Sequence, residues 1–143
     1  MKYEFEPTNV ERDIERVPLN MMEFPNFIKK NNSNVYVFGA DIAGKAIANL
    51  LKKSGIEISG FLDNNRNKCL VEFDGVRVNH AEILSKIDKE SVILIASTYV
   101  ADIIAQIEAQ GFYNWAPISF IIDHYKDADF RSIIAGDLQK NHS

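Results

Sequence analysis

The hydrophobic pattern of the chain alternates between short continuous apolar runs and longer stretches with a helical period. Residues 35–38 are apolar throughout, as expected of a parallel strand that is buried on both faces. From residue 43, apolar side chains recur at i, i+3, i+4, i+7 and i+8, which predicts a helix with one buried face. Ser54 and Gly55 end this helix, the glycine supplying a left-handed cap, and a strand is predicted at 56–62. The apolar face consists of Ala43, Ala46, Ile47, Leu50 and Leu51.

The second half of the chain repeats this alternation. Residues 71–78, with Asp74 and Gly75 at their centre, predict two short extended segments around a turn. Strands and helices alternating at this spacing predict an α/β, three-layer Rossmann-like fold, with a parallel sheet of about five strands and helices on both faces. The remaining predicted elements are a short helix at 81–87, a buried strand at 92–96, a helix with Val100, Ile103, Ile104 and Ile107 on one face that ends at Gly111, and a last strand at 118–122.

The two ends of the chain lack this regular pattern. Short helices are predicted at 9–16 and 25–30, ahead of a polar break of asparagine and serine. We therefore interpret residues 1–34 as a helical lead-in packed on the domain. Residues 35–136 are the predicted nucleotide-binding domain, and 137–143 are predicted to be a flexible tail.

The composition and charge of the chain exclude several classes of protein. The chain has 143 residues, enough for one domain with a single core, and a net charge of -4. No basic surface is indicated, so a nucleic-acid partner is not expected. No apolar run is long enough to cross a membrane, and acidic residues stand where a signal peptide would be apolar. A single cysteine, Cys69, allows neither an internal disulfide nor a structural zinc site, and we expect a cytoplasmic protein without a metal.

The candidate chemistry begins at the turn between the first strand and the first helix. Gly39 and Gly44 occupy the first and third positions of the dinucleotide-binding pattern G-x-G-x-x-G, but Asp41 stands at the second. One interpretation is that Asp41 turns aside and a nucleotide lies across the turn. The other is that both glycines serve only chain geometry, while Asp41 caps the helix and occupies its free amides.

Two further strand ends could complete such a site. Asp63 ends the second strand, where a carboxylate can accept hydrogen bonds from ribose hydroxyls, or can instead start a turn with Asn64. Ser97 and Thr98 follow a buried strand, at the edge where open α/β sheets bind ligands, or can instead cap the next helix. The predicted ligand-binding set is Gly39, Ala40, Asp41, Ile42, Gly44, Asp63, Asn64, Ser97 and Thr98.

No catalytic set is evident. No tyrosine is followed by lysine at the spacing of short-chain dehydrogenases, and no G-x-S-x-G motif is present. His80, His124 and His142 have no metal-ligand spacing, although His80 is expected to begin a helix. Cys69 follows Lys68, which would lower the pKa of the thiol, but no oriented base is apparent. Catalytic residues therefore stay unassigned.

Four segments carry a resemblance to a known family. They read VYVFGA at 35–40, GFLDN at 60–64, FDGVRV at 73–78 and ILIAS at 93–97. Together they resemble the small Rossmann-like domains of bacterial surface-polysaccharide biosynthesis enzymes. The resemblance implies that Gly39, Gly44 and Asp63 hold NAD(P) or a UDP-sugar. In that family, the domain accompanies a catalytic partner that has no counterpart in this sequence.

Three functions remain open at this point. The first is a binding module for a nucleotide or nucleotide-sugar, used in cell-surface sugar biosynthesis together with a separate catalytic protein. The second is an oxidoreductase or sugar-modifying enzyme whose site is completed in a homodimer. The third is an interaction domain with an empty turn.

Overall fold

The computed structural model describes residues 33–124 and the single positions 18, 21, 28 and 31. Among the described residues of the lead-in, Met21 and Ile28 are buried with the core. The predicted helices at 9–16 and 25–30, apart from Ile28, and the predicted tail at 137–143 lie outside the described residues. The proposed domain boundaries stay a prediction.

Six strands, three α-helices and two 3-10 helices make up residues 33–124. No helix in this part of the chain has the length and apolar character needed to cross a bilayer. In chain order the elements are β1 (Val35–Phe38), α1 (Ile42–Lys53), β2 (Gly60–Asp63), a 3-10 helix (Arg66–Lys68), β3 (Glu72–Phe73), β4 (Val76–His80), a 3-10 helix (Ala81–Lys86), β5 (Val92–Ile95), α2 (Val100–Ala109), β6 (Trp115–Pro117) and α3 (Ile118–His124).

The strands form one sheet in the order β3-β4-β2-β1-β5-β6. All neighbours pair in parallel except β3 and β4, which form an antiparallel hairpin at one edge. The predicted α/β class and parallel sheet are confirmed, with six strands instead of about five. From β1 the chain runs toward one edge of the sheet through β2 and β4, and then returns to β5, which pairs with the opposite side of β1. Because right-handed crossovers in opposite directions lie on opposite faces, α1 and α2 cover opposite faces of the sheet.

The core follows the predicted hydrophobic faces. All four residues of β5 are buried, and so is the predicted face of α1 except Ala43, which is half-buried. Each large apolar side chain that folding removes fully from water contributes about 1.5–3 kcal/mol to the free energy of folding. Gly55 follows α1 with a φ of 84°, as predicted for a left-handed cap, and Gly111 follows α2 with a φ of 91°. The hairpin turn is also confirmed, with φ of 53° at Asp74 and 80° at Gly75.

Two strand predictions are wrong in position. The predicted strand at 56–62 pairs only from Gly60, because the amide of Ile56 still bonds to the Leu51 carbonyl at the end of α1 (2.8 Å). The predicted strand at 118–122 is helix α3, and the last strand within residues 33–124 is Trp115–Pro117. A short, mostly apolar segment such as residues 118–122, which contains Ser119, does not distinguish strand from helix by periodicity. Pro117 lacks an amide hydrogen, which is tolerated in an edge strand such as β6.

Candidate functional site

A cavity of about 340 Å³ opens at the carboxyl ends of β1, β2 and β5. This is the place where the strand order reverses, between the loops that follow β1 and β5. Open α/β sheets bind ligands in this crevice because loops from opposite sides diverge there. The walls come from the glycine turn after β1, the loop after β2 and the first turn of α2.

Gly39 makes the turn that leaves β1. Its amide still donates to the Leu62 carbonyl (2.7 Å), so the turn starts directly from the ladder with β2. Its φ of +115° favours glycine, and a Cβ at this position would lie 2.7 Å from the carbonyl oxygen of Ala96. The turn therefore passes against the end of β5 with no space for a side chain.

Gly44 lets α1 pack against that turn. A Cβ on Gly44 would lie 1.9 Å from the Gly39 carbonyl oxygen, closer than any side chain tolerates. The side chain nearest to this Cβ is that of Val37 in β1, whose Cγ1 would lie 3.4 Å away. This is the close helix–strand contact expected of the third glycine in the pattern. Both glycines are thus required by the chain geometry itself.

Asp41 stands at the start of α1 but does not cap it. Its backbone carbonyl accepts the first helical hydrogen bond, from the Lys45 amide (3.0 Å), while its side chain makes no capping bond. The carboxylate instead pairs with the ammonium group of Lys68. The first amides of an α-helix have no acceptor within the helix. The capping interpretation of Asp41 is therefore wrong, and its carboxylate does not occupy those amides.

Lys68 is the partner that the sequence analysis missed. It lies in the 3-10 helix that follows β2, and its side chain lines the cavity. The hydrogen bond to Asp41 raises the pKa of the Lys68 ammonium, desolvation opposes this in part, and the charges of Asp41 and Asp63 add to the increase. The ammonium is therefore fully charged near neutral pH. A separation of 27 residues leaves no local sequence signal for the pair.

Asp63 anchors the glycine turn. One carboxylate oxygen accepts from the Ala40 amide (3.0 Å) and the other accepts from the Asn65 amide (2.8 Å). The turn predicted as its alternative role is present, but the bond to Ala40 also ties the β1 loop to the end of β2. A carboxylate offers about four lone-pair positions, so acceptor capacity remains for a ligand hydroxyl.

Asn64, Ser97 and His80 already have hydrogen-bond partners within the protein. The Asn64 and Gln106 side-chain amides bond to each other twice, at 2.9 Å each, and so join the loop after β2 to α2. The Ser97 hydroxyl accepts from the Tyr99 amide (3.1 Å), just ahead of α2. His80 precedes the 3-10 helix as predicted, and its Nδ1 accepts from the Glu82 amide (3.1 Å).

The structure brings together part of the predicted set. Ala40, Ile42, Gly44 and Thr98 are not among the residues that line the cavity. Those that do line it are Gly39, Asp41, Asp63, Asn64 and Ser97. The polar and aromatic residues that sequence reasoning missed are Asn65, Lys68, Tyr99 and Asp102.

The cavity combines three kinds of group. Asp41, Asp63 and Asp102 supply carboxylates, and Lys68 is the cation among the described lining residues. Tyr99 is 71% exposed and presents an aromatic ring beside them. Carboxylates accept hydrogen bonds from sugar hydroxyls, an ammonium binds phosphate, and an exposed ring can stack on a planar base. The negative balance of charge distinguishes this cavity from an ordinary phosphate site.

Cys69 lies beside the site but is not activated. Its thiol contacts the backbone oxygen of Asn65 at 3.3 Å. Burial raises the pKa of the Cys69 thiol, the charge of Asp63 raises it further, and Arg66 lowers it. The expected lowering by Lys68 is therefore wrong. Within residues 33–124 no cluster of three or more histidine, cysteine, aspartate or glutamate side chains could hold a metal ion.

One solved structure, with a TM-score of 0.50, agrees with this fold. UDP-D-quinovosamine 4-dehydrogenase from Vibrio fischeri is 24% identical, over 59% of this chain and 76% of that one, with a TM-score of 0.50. RSP, a Rex-family repressor, is 24% identical over 62% of this chain and 47% of its own, with a TM-score of 0.45. The structure of RSP in complex with beta-NADH is 23% identical over 61% of this chain and 46% of its own, with a TM-score of 0.44. No curated protein matches the chain significantly. Residues 31–115 match the family described as C2185-like, N-terminal.

Proposed function

The chain belongs to the C2185-like, N-terminal family, and from this premise we propose that it is a Rossmann-like module that binds a nucleotide or nucleotide-sugar. The ligand would occupy the cavity at the carboxyl edge of the sheet, between the glycine turn and the end of β2. The proposed contact residues are those of the predicted set that line this cavity: Gly39, Asp41, Asp63, Asn64 and Ser97.

One observation supports this proposal above the others. The side chain of Asp41 leaves the first turn of α1 uncapped, and that turn begins beside a cavity that also contains Asp63. Helix N-termini bind phosphate groups through such amides and through the positive end of the helix dipole. Asp63 is placed to accept from ribose hydroxyls at the same time, which is the arrangement of a mononucleotide site.

The finer part of the proposal concerns the ligand and the setting. NAD(P) and UDP-sugars both carry a ribose and a diphosphate, and both fit the groups that the cavity presents. The enzyme from Vibrio fischeri, which shares this fold, acts on a UDP-sugar by its name. We extend the proposal to cell-surface sugar biosynthesis, in which this chain would hold a nucleotide for a separate enzyme or for a second copy of itself.

Thermal denaturation with candidate ligands tests the proposal. The screen contains NAD+, NADH, NADP+, UDP and UDP-sugars, each at a large excess. A ligand at a hundredfold excess over its Kd stabilises the folded chain by about 2.7 kcal/mol. For a chain of this size that amounts to about 8 °C in Tm. If every one of these ligands leaves Tm unchanged, the proposal is wrong.

Matched variants test whether the ligand binds in this cavity. Asp63→Asn removes the carboxylate that would bind ribose, and should weaken the ligand by about tenfold or more. Asp88→Asn is the control, because Asp88 accepts a local amide, that of Glu90 (2.9 Å), in an exposed turn outside the cavity. A ligand that stabilises both variants equally would bind elsewhere.

A further inference from the structure

We infer that Lys68 is the residue that selects diphosphate-containing ligands, and that Asp41 holds its ammonium group in place until the diphosphate arrives. This inference deepens the proposed function and rests on it. In its general form the nucleotide-binding glycine turn has a glycine at its second position and meets the pyrophosphate with backbone amides. In this chain Asp41 stands at that position and pairs with Lys68 from the loop after β2.

The position of Lys68 supports the first half of the inference. The lysine extends from the 3-10 helix after β2 to Asp41 at the start of α1, and both residues line the cavity. The ammonium group therefore lies beside the first turn of α1, where a nucleotide phosphate would meet the helix amides. Among the described lining residues, Lys68 is the one that can neutralise a phosphate, since the others are acidic, polar uncharged or apolar.

The charge balance of the cavity makes this lysine necessary. Three aspartates line the cavity, and a diphosphate adds two further negative charges to the same space. Without a cation, like charges at short range would oppose binding. With Lys68, the diphosphate can take the place of the Asp41 carboxylate as the partner of the ammonium group.

Asp41 is suited to give up its partner. Its side chain is 67% exposed and that of Lys68 is 35% exposed, so this is a surface ion pair that costs little to separate. Once released, the carboxylate can rotate into water, because no capping bond holds it at the helix. In the unliganded protein the pair keeps the lysine at the cavity instead of free in solvent. Asp41 therefore acts as an internal competitor for the phosphate position.

The experiment measures Kd for UDP and NAD+, and for uridine and adenosine, which lack the diphosphate. The variants are Lys68→Met, which keeps the aliphatic stem, and Asp41→Asn, which removes the competing charge. Lys68→Met should weaken UDP or NAD+ about tenfold to a hundredfold, as expected for the loss of a charged hydrogen bond, and change nucleoside binding less than about twofold. Asp41→Asn should strengthen the diphosphate ligand by about threefold to tenfold.

The chain offers a matched control pair in the same helix. Lys52, in the last turn of α1, pairs with Asp74 of the β3–β4 hairpin at 3.1 Å. At 1.5 Å per residue, Lys52 lies about 16 Å along the helix from Asp41. Lys52→Met and Asp74→Asn make the same chemical changes and should leave the Kd for UDP and NAD+ unchanged.

The outcomes separate this inference from the proposed function. If the unmodified chain binds the diphosphate ligand but Lys68→Met weakens nucleoside and nucleotide alike, or neither, then the module binds nucleotides and the inference about Lys68 is wrong. A loss of affinity in Asp41→Asn would equally overturn the role of Asp41 as a competitor. If the unmodified chain binds none of the four compounds and none of the ligands in the thermal screen, the proposed function fails and this inference fails with it.

Discussion

Replacing Asp63 by alanine should destabilise the protein even in the absence of ligand. The carboxylate accepts from the amide of Ala40, a buried residue (3.0 Å), and from the exposed amide of Asn65 (2.8 Å). The bond to Ala40 is charge-assisted, and its loss leaves the part-buried Ala40 amide without this acceptor, which costs about 1.5–3 kcal/mol. The exposed bond adds about 0.5–1 kcal/mol. We expect a fall of about 2–4 kcal/mol in the free energy of unfolding, measured by urea denaturation followed by circular dichroism.

Two companion variants test the reasoning behind this figure. Asp63→Asn keeps one acceptor oxygen and should lose about 1–2 kcal/mol. Asp88→Ala removes an exposed local bond to the Glu90 amide and no long-range contact, so about 0.5–1 kcal/mol is expected. If Asp63→Ala is no less stable than Asp88→Ala, the bond from Ala40 does not anchor the turn, and our account of Asp63 is refuted.

Two further predictions concern packing and proton binding. Gly44→Ala should lower the free energy of unfolding by about 3 kcal/mol, because its Cβ would meet the Gly39 carbonyl oxygen. Gly55→Ala has open space around it and should lower it by about 1 kcal/mol through backbone strain alone. Equal losses in urea denaturation would contradict the clash. Burial raises the pKa of the Cys69 thiol, so the folded chain should bind that proton more tightly and lose stability as pH rises above the ordinary thiol value. The pH midpoint of iodoacetamide alkylation should then be higher in the folded chain than in urea, and an equal or lower midpoint would contradict this.

The sequence predicted the central part of the fold because burial there leaves a periodic signal. β1 and β5 are continuous apolar runs, and α1 and α2 carry their apolar residues on one face. The edge of the sheet was harder to predict. The register of β6 depends on pairing with β5, through Ile93 opposite Trp115, and a short apolar run carries no record of that partner.

The candidate site was predictable where it depends on backbone shape or on the position of a strand end, as for Asp63 and Ser97. Gly39 and Gly44 are recognised because a tight turn and a close helix contact exclude every side chain. Asp41 could not be assigned in the same way, since its carboxylate could cap its own helix or reach a distant partner. That choice was decided by Lys68, which is remote in sequence and becomes a neighbour only when the loop after β2 folds back.

The two roles assigned to Asp63 are compatible, and the first supports the second. An amide that binds a ligand must already point into the cavity, and the Ala40 bond holds the glycine turn in the shape that aligns α1 with the end of β2. The same bond consumes one of about four lone-pair positions on the carboxylate, and the Asn65 bond consumes another. About two lone-pair positions on the carboxylate remain, which is the number that the two hydroxyls of a ribose require. The Asp63 carboxylate therefore shapes the glycine turn, and in the proposed site it would also accept from the ligand, which neither an alanine nor a lysine at position 63 could do.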